Sequence, residues 1–505
     1  MISADTSFVQ LQETKPIIEN KGRPRLGLST LKLDKLTLFS LLWAMASLIH
    51  ILSFSNRLTS ANPGLWLVLL STAALILFPG SVYLFMVMLF FRIADYIYWM
   101  PFTPNHLLFE FILNIGMLSA LVYRVFLNKP AYDLADTSFS KTNYREVLFD
   151  FFRPVATVSL IILYFYAVFH KLNSDFFNPA TSCGTFLMEY FTSSMPAINN
   201  NYIIRMSAIW GTLFFEGGIP ILLCFRRTRT AGIVIGLFFH YFLSFHPHRG
   251  IYSFSALIFS LYFLYLPDNF IQRMGFTGKK LFGNYWRQLI SAATYSRLLL
   301  PVAMLPVIFV FRYNWPKLFS LGLYIWLTWG ILIMAVYLTV IFSGKTKDIY
   351  ARNPFRIPAK ALWLFPVIVL LNGLNPYFGF KTQTSFSMFS NLRTEDKITN
   401  HLFVPVSLQT GTLQHDLVDI TSSDAEELTE YKTHNQLITF FEFRRITASL
   451  NKNFYVNYQR NGQPQVLQVK NGKSNQPELL TPHLWLLSKL LAFRPIDKGP
   501  CLCKH

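Results

Sequence analysis

Residues 318–342 read LFSLGLYIWLTWGILIMAVYLTVIF, 25 positions without one charged side chain. A helix needs about 20 mostly apolar residues to cross the hydrocarbon core of a bilayer. No water is present there to bond backbone N–H and C=O groups, so a run of this length satisfies them within itself as an α-helix. Reading outward from it, similar runs recur near 36–54, 65–80, 82–99, 106–127, 154–170, 203–225, 230–246, 251–267, 297–312 and 360–378. Together they predict about eleven spans. Pro79-Gly80 interrupts the second and third, which leaves one bent span plus a re-entrant piece as the alternative there, and 297–312 is short.

The composition agrees. The 505 residues are 52% hydrophobic and only 14% charged, against about a quarter charged in soluble domains. The net charge is +19, but its Lys and Arg sit in loops between apolar runs. That placement suits orientation and contact with anionic lipid head groups rather than nucleic acid. The expected fold is an all-α polytopic transmembrane bundle with a small, mostly β C-terminal extramembrane domain. Residues 1–35 form a basic arm, 36–378 the helical domain and 379–505 the C-terminal domain.

The N-terminus lacks a short apolar stretch with a small-residue cleavage site, so the first apolar run is expected to act as an uncleaved anchor. Basic clusters at Lys15–Lys35, Arg226–Arg229, Lys279–Arg287 and Lys345–Arg356 fall on one side if the span number is odd. By the positive-inside rule that side is cytoplasmic. The C-terminal domain then lies outside, in the periplasm if the chain resides in a cell inner membrane. Within it, alternating runs at 436–443 and 453–459 predict strands, and Asn461-Gly462 predicts a hairpin turn.

An ionisable group at mid-bilayer costs at least ~2.5–3.5 kcal/mol, so such residues need a partner or a purpose. His170 and Lys171 close the fifth run, and Lys171 could pair with Asp175 four residues on if the helix continues; a lysine snorkelling at the end of a span is the plainer reading. His106, Glu110 and Asn114, each four apart, make one polar stripe facing the bundle interior. Asn105 sits where an N-cap would. Arg205 and Glu216 share a face of the sixth run, and Glu216 precedes Gly217-Gly218 and Pro220, where a kink is expected. His240 lies in the seventh run, with His246 and His248 beyond it. Arg92 and Asp95 are spaced to pair with each other.

The cysteines form no CxxC pair. Cys224 reads as packing, and Cys501-Leu-Cys503, which could join His505 on a metal, reads as a frayed tail; no metal is expected. No P-loop, GxSxG, HExxH or dinucleotide fingerprint is present.

The run 167–177, AVFHKLNSDFF, resembles the lysine motif of the vitamin K-dependent γ-carboxylases and their bacterial relatives, the horizontally transferred transmembrane (HTTM) domain proteins. Asn105-His106, FFEGGIP at 214–220 and Phe238-Phe239-His240 also resemble that family. Its pattern spans about residues 35–270, with MFSNLR at 388–393 and Asn400-His401 as weaker matches.

The resemblance implies a lyase or oxidoreductase acting on a reduced, vitamin K-like hydroquinone with O2 and CO2. Lys171 would be the general base and His106 its assistant. His170, Asn105, Glu110, Asp175, Glu216 and His240 would support or bind. The substrate would be a lipophilic quinone from the bilayer, with a protein or peptide glutamate as the group carboxylated. Loss of hydration would help such an amine act as a base, and an apolar bundle would exclude water from it.

This sequence departs from the family pattern at His170, where the family carries a first lysine, and in its shorter tail, without a substrate-docking segment. Both departures weigh against carboxylation more than against quinone chemistry. A membrane carrier and a non-catalytic scaffold with an outward binding domain are the alternative functions. No paired inverted repeats with matching broken helices support the carrier.

Overall fold

A computed structural model describes residues 33–58, 62–127, 141–246, 248–343 and 354–503. The N-terminal arm before Leu33, the basic residues Lys345, Lys347 and Arg352, and His505 lie outside these residues. The described chain is mostly helical.

Local sequence sets the helix starts. Helix α1 (Lys35–Ser53) begins where the Asp34 carboxylate accepts from the Thr37 backbone N–H at 2.7 Å. Asn62 caps α2 (Pro63–Leu77) and Ser81 caps α3 (Val82–Trp99) in the same manner. Such caps are each worth about 1 kcal/mol. Helix α4 (Asn105–Val122) follows Pro104, and α5 (Lys141–Phe169) carries Pro154 within it. Short α6 (Cys183–Thr192) and α7 (Pro196–Asn199) lead to α8 (Tyr202–Cys224). Then come α9 (Arg229–Leu243), α10 (Arg249–Tyr262), α11 (Phe270–Phe282), α12 (Tyr285–Phe311), α13 (Trp315–Phe342) and α14 (Leu364–Leu374).

All eleven expected runs are helical, but the span count is not confirmed. Among the described residues seven helices are long and apolar enough to cross a membrane, or eight if α10 and α11, bent by 99°, are one span. Pro63–Leu77 and Arg229–Leu243 have 15 residues each. At 1.5 Å per residue they reach about 22 Å, short of the ~30 Å hydrocarbon core. The run read as short at 297–312 is longer than expected, since α12 begins at Tyr285.

Helix α1 is buried on nearly all sides and packs against α2, α10 and α13. Its Trp43 indole donates to Asn114 Oδ1 on α4 at 3.0 Å. Around it Phe39, Phe149, Phe152 and Phe263 meet as an aromatic cluster. The outward faces stay apolar: Phe90 on α3, Phe214 on α8 and Tyr324 on α13 are exposed. Exposed apolar side chains on several long helices are what a lipid-facing belt requires.

The C-terminal domain is an antiparallel six-stranded sheet. Its order is β5-β4-β3-β1-β2-β6, with β1 (Leu417–Ser423), β2 (Gln436–Thr439), β3 (Phe454–Arg460), β4 (Gln463–Lys470), β5 (Lys473–Ser474) and β6 (Ile496–Asp497). Helices α15 (Glu426–Thr433), α16 (Phe440–Ser449) and α17 (Trp485–Leu490) accompany it. The β3–β4 hairpin turns at Asn461-Gly462, with φ of 50° and 82°. Positive φ at both central residues is the demand of a type I′ turn, which Asn-Gly meets with little strain. The run 436–443 is strand only to Thr439. There the Thr439 hydroxyl accepts from the Glu442 N–H and starts α16.

Between bundle and sheet, residues 378–416 form an irregular collar. Thr384, Phe386, Phe389 and Asn391 hold positive φ within it. Phe386 is fully buried in the bundle core, so the collar closes one end of the bundle.

Candidate functional site

At that end lies a cavity of about 490 Å³. Helix α4 contributes Asn105 and His106, the α5 terminus Lys171, α8 Glu216, α9 His240, and the collar Gln383, Phe386 and Phe389. Five of the eight residues expected at a site therefore share one chamber.

Helix α5 stops at Phe169, and Lys171 lies in the turn beyond it. Its amine donates to the Ala167 carbonyl at 2.9 Å and to Glu216 Oε2 at 2.6 Å. An ammonium has three N–H donors, so one remains. The expected Lys171–Asp175 pair does not form, because α5 does not continue. The Asp175 carboxylate instead accepts from the Asn400 amide at 2.8 Å and the Cys501 N–H at 3.0 Å.

Lys171 is not a snorkelling side chain at lipid; it is buried. Glu216 is likewise not paired with Arg205 on its own helix, which bonds Glu189 Oε1 at 2.7 Å. Helix α8 runs unbroken through Gly217, Gly218 and Pro220.

The α4 stripe faces inward as its spacing predicts, but its members serve different partners. Glu110 makes a bidentate pair with Arg92 at 3.0 and 2.7 Å and does not line the cavity. Asp95 is more distant from Arg92, at 4.0 Å, so Glu110 is the stronger partner. Asn105 is not a cap. Helix α4 begins at Asn105 itself, and its side-chain oxygen accepts from the Phe386 N–H at 2.6 Å, which holds the collar over the cavity.

His170 turns away from the chamber. Its Nε2–H donates to the Ser385 carbonyl at 3.2 Å, and its Nδ1 accepts from the Tyr377 hydroxyl at 2.7 Å. His246 Nδ1 accepts from the His248 N–H at 3.1 Å, a local contact that occupies one of its ring nitrogens.

Two polar relays leave the cavity wall. His106 Nε2 lies 3.2 Å from Ser253 Oγ, which lies 2.8 Å from His50 Nδ1. A hydroxyl can donate to one ring and accept from the other. His240 Nε2 meets the Tyr164 hydroxyl at 2.7 Å, and Tyr164 meets the Tyr262 hydroxyl at 2.6 Å. His240 Nδ1 is buried without a partner among the described residues. The remaining wall is largely apolar, with Phe54, Leu163, Leu243 and Phe254, while Arg57, Arg249 and His248 add positive charge capacity.

Sequence reasoning missed His50, Ser253, Arg57 and the collar residues Gln383 and Phe386. His50 lies inside an apolar run and the rule about intramembrane ionisable groups could have found it. No local signal could place the collar there. The tail also differs from expectation: Cys503 is disulfide-bonded to Cys183, which lines the cavity, so the C-terminus is anchored rather than frayed.

Buried Lys381 donates to Thr384 Oγ1 at 3.4 Å within the collar. Burial pushes its amine down to about 8. Comparison with protein-family models, with curated proteins and with solved structures returns no match for this chain.

Proposed function

We propose that this chain is a membrane enzyme that binds a lipophilic reduced quinone in the cavity and uses Lys171 as its base, in the manner its resemblance to the γ-carboxylases implies. The observation that carries the reading is the 2.6 Å contact between Lys171 Nζ and Glu216 Oε2 on the wall of an apolar chamber that His106 also lines.

The residues fit such a group. Aromatic walls suit a flat ring, the spare Lys171 N–H suits one of its oxygens, and the volume lies within the range of small-molecule sites. A reduced quinone bound there would supply an acidic ring hydroxyl and, with O2, an oxidisable ring.

The chain's own residues do the rest. Moving the shared proton from Nζ to Oε2 converts an ion pair into a neutral amine and a neutral acid, a change that an apolar wall favours. The neutral amine can then take a proton from a nearby hydroxyl. His106, held by Ser253, presents its imidazole to the same chamber, and the Ser253–His50 chain can carry a proton onward. The collar, tied down through Asn105, covers part of the chamber, and the exclusion of water there would protect a basic group from quenching. A carboxylation step on a glutamate belongs to the resemblance; His170, packed on Tyr377, takes no part in the chamber.

We also read the collar end as outward and the opposite end as cytoplasmic. The Cys183–Cys503 disulfide at the collar end suits an oxidising compartment such as the periplasm. Arg226 and Arg227 lie in the α8–α9 turn at the other end.

The test is turnover of a tailed naphthoquinol by the full chain in proteoliposomes. Wild-type protein should oxidise it, and Lys171→Ala should bind it but not turn it over. Solute flux that persists in Lys171→Ala, with no quinol consumed by either protein, would favour a carrier instead.

A further inference from the structure

We infer that the C-terminal domain is seated in the bilayer surface through two apolar tips, residues 402–403 and 484–487, rather than standing clear of the membrane. The seat depends on the helices spanning a bilayer, but not on the quinone chemistry.

The second tip is built rigidly. His483 stacks on Phe441 with ring centroids 3.8 Å apart and donates to the Phe441 carbonyl at 2.9 Å. From that fixed point Leu484, Trp485 and Leu486 project with 75%, 65% and 58% of their surface exposed. Their height relative to the bundle is also fixed. Lys489, four residues on from Trp485, donates to the Tyr98 carbonyl at 2.7 Å, and Tyr98 is the penultimate residue of α3. The Arg445 guanidinium covers the Phe102 ring at 5.2 Å, just past the same helix end.

The first tip is tied to a different span. The Leu402 N–H donates to the Leu172 carbonyl at 2.9 Å, and His401 Nε2–H donates to the carbonyl of Phe169, the last residue of α5, at 2.9 Å. Phe403, the next residue, is 71% exposed.

Both tips thus sit level with the ends of spans, where a bilayer has its head-group boundary. Tyr98 and Phe102 are exposed beside the second tip. Trp and Tyr concentrate at that depth because one part of the ring system is apolar and another bonds water. A second copy or a soluble partner would need the same faces clear of lipid, yet their anchoring to α3 and α5 places them against it. Lipid is the occupant these positions select, and the domain is then part of the interface as a monotopic element.

Photochemical labelling tests this in the full chain, reconstituted in phosphatidylethanolamine–phosphatidylglycerol vesicles. p-Benzoylphenylalanine would replace Trp485, Phe403, Phe90 or Tyr455 in turn, and adducts would be read by mass spectrometry. Phe90, exposed on α3, and Tyr455, exposed on the sheet, are the references. Positions 485, 403 and 90 should carry lipid adducts and position 455 none. Lipid at 90 but protein adducts, or none, at 485 or 403 would overturn the seat. Absence of lipid at 90 would overturn the spanning bundle and the seat together.

Discussion

Lys171 and Glu216, 45 residues apart in sequence, form an ion pair of 2.6 Å with the lysine almost wholly buried. Lys171 is not paired with Asp175, the neighbour four residues on that its spacing suggested. A charge pair on an apolar wall is costly to assemble, and breaking it is costlier, because the remaining charge is left uncompensated.

Glu216→Leu should therefore destabilise the protein by about 3 kcal/mol, whereas Lys171→Met with Glu216→Leu should recover most of that loss. Thermal unfolding of the two single variants and the double variant in detergent checks the cycle. The double variant should be stable and inactive, which separates the pair's chemical role from its structural one.

Arg92 and Glu110 offer the contrasting case. Their bidentate pair is buried and does not line the cavity. Glu110→Ala should cost about 3–5 kcal/mol of stability by leaving the guanidinium unpaired. Quinone affinity, measured on the fraction that remains folded, should change less than about twofold, or about 0.4 kcal/mol.

The Cys183–Cys503 bond closes a loop across a sequence separation of 320 residues. Cys503→Ser should lower stability by about 2–4 kcal/mol. It should also let carboxypeptidase trim past position 503 faster, because the tail would then be held by hydrogen bonds alone, from the Cys501 N–H to Asp175, the Asn391 amide to the Cys501 carbonyl and the Leu502 N–H to Asp497. Intact-mass analysis after timed digestion reads this directly.

Lys381 should make stability depend on pH on the alkaline side. Its amine has an ordinary value of 10.5 and is held at about 8 by burial. Between those values the unfolded chain binds the proton more tightly, so stability rises with pH across that window. Below about 8 the folded state carries the full cost of a buried ammonium, about 3 kcal/mol from the gap between 10.5 and 8. Lys381→Met should remove that cost at pH 7, and the advantage over wild type should shrink as pH rises from 8 to 10.5. Denaturation of both proteins at pH 7 and pH 10 checks it.

The helical bundle was legible because lipid imposes one local rule, and each apolar run obeys it without reference to the rest of the chain. The hairpin at Asn461-Gly462 was legible for a similar reason, since a two-residue turn carries its own conformational demand. Span length was less so: α2 and α9 are apolar enough but stop at 15 residues. Which ionisable groups meet was hardly legible at all. Helical spacing placed Glu110 correctly on an inward face, but its partner Arg92 comes from another helix, and the partner of Glu216 is Lys171, in the turn after α5. The collar was read as polar and extramembrane, yet Phe386 belongs to the bundle core. Its path depends on left-handed residues and on the Asn105 contact, which no local pattern shows.

The central claim is that the Lys171 amine is the base. Quinol-dependent O2 uptake by Lys171→Ala proteoliposomes, with and without small primary amines, tests it most directly. The account predicts a loss of about 10²–10⁴-fold, the usual worth of a general base, with partial recovery that grows with the basicity of the added amine. Uptake at the wild-type rate in Lys171→Ala would contradict it.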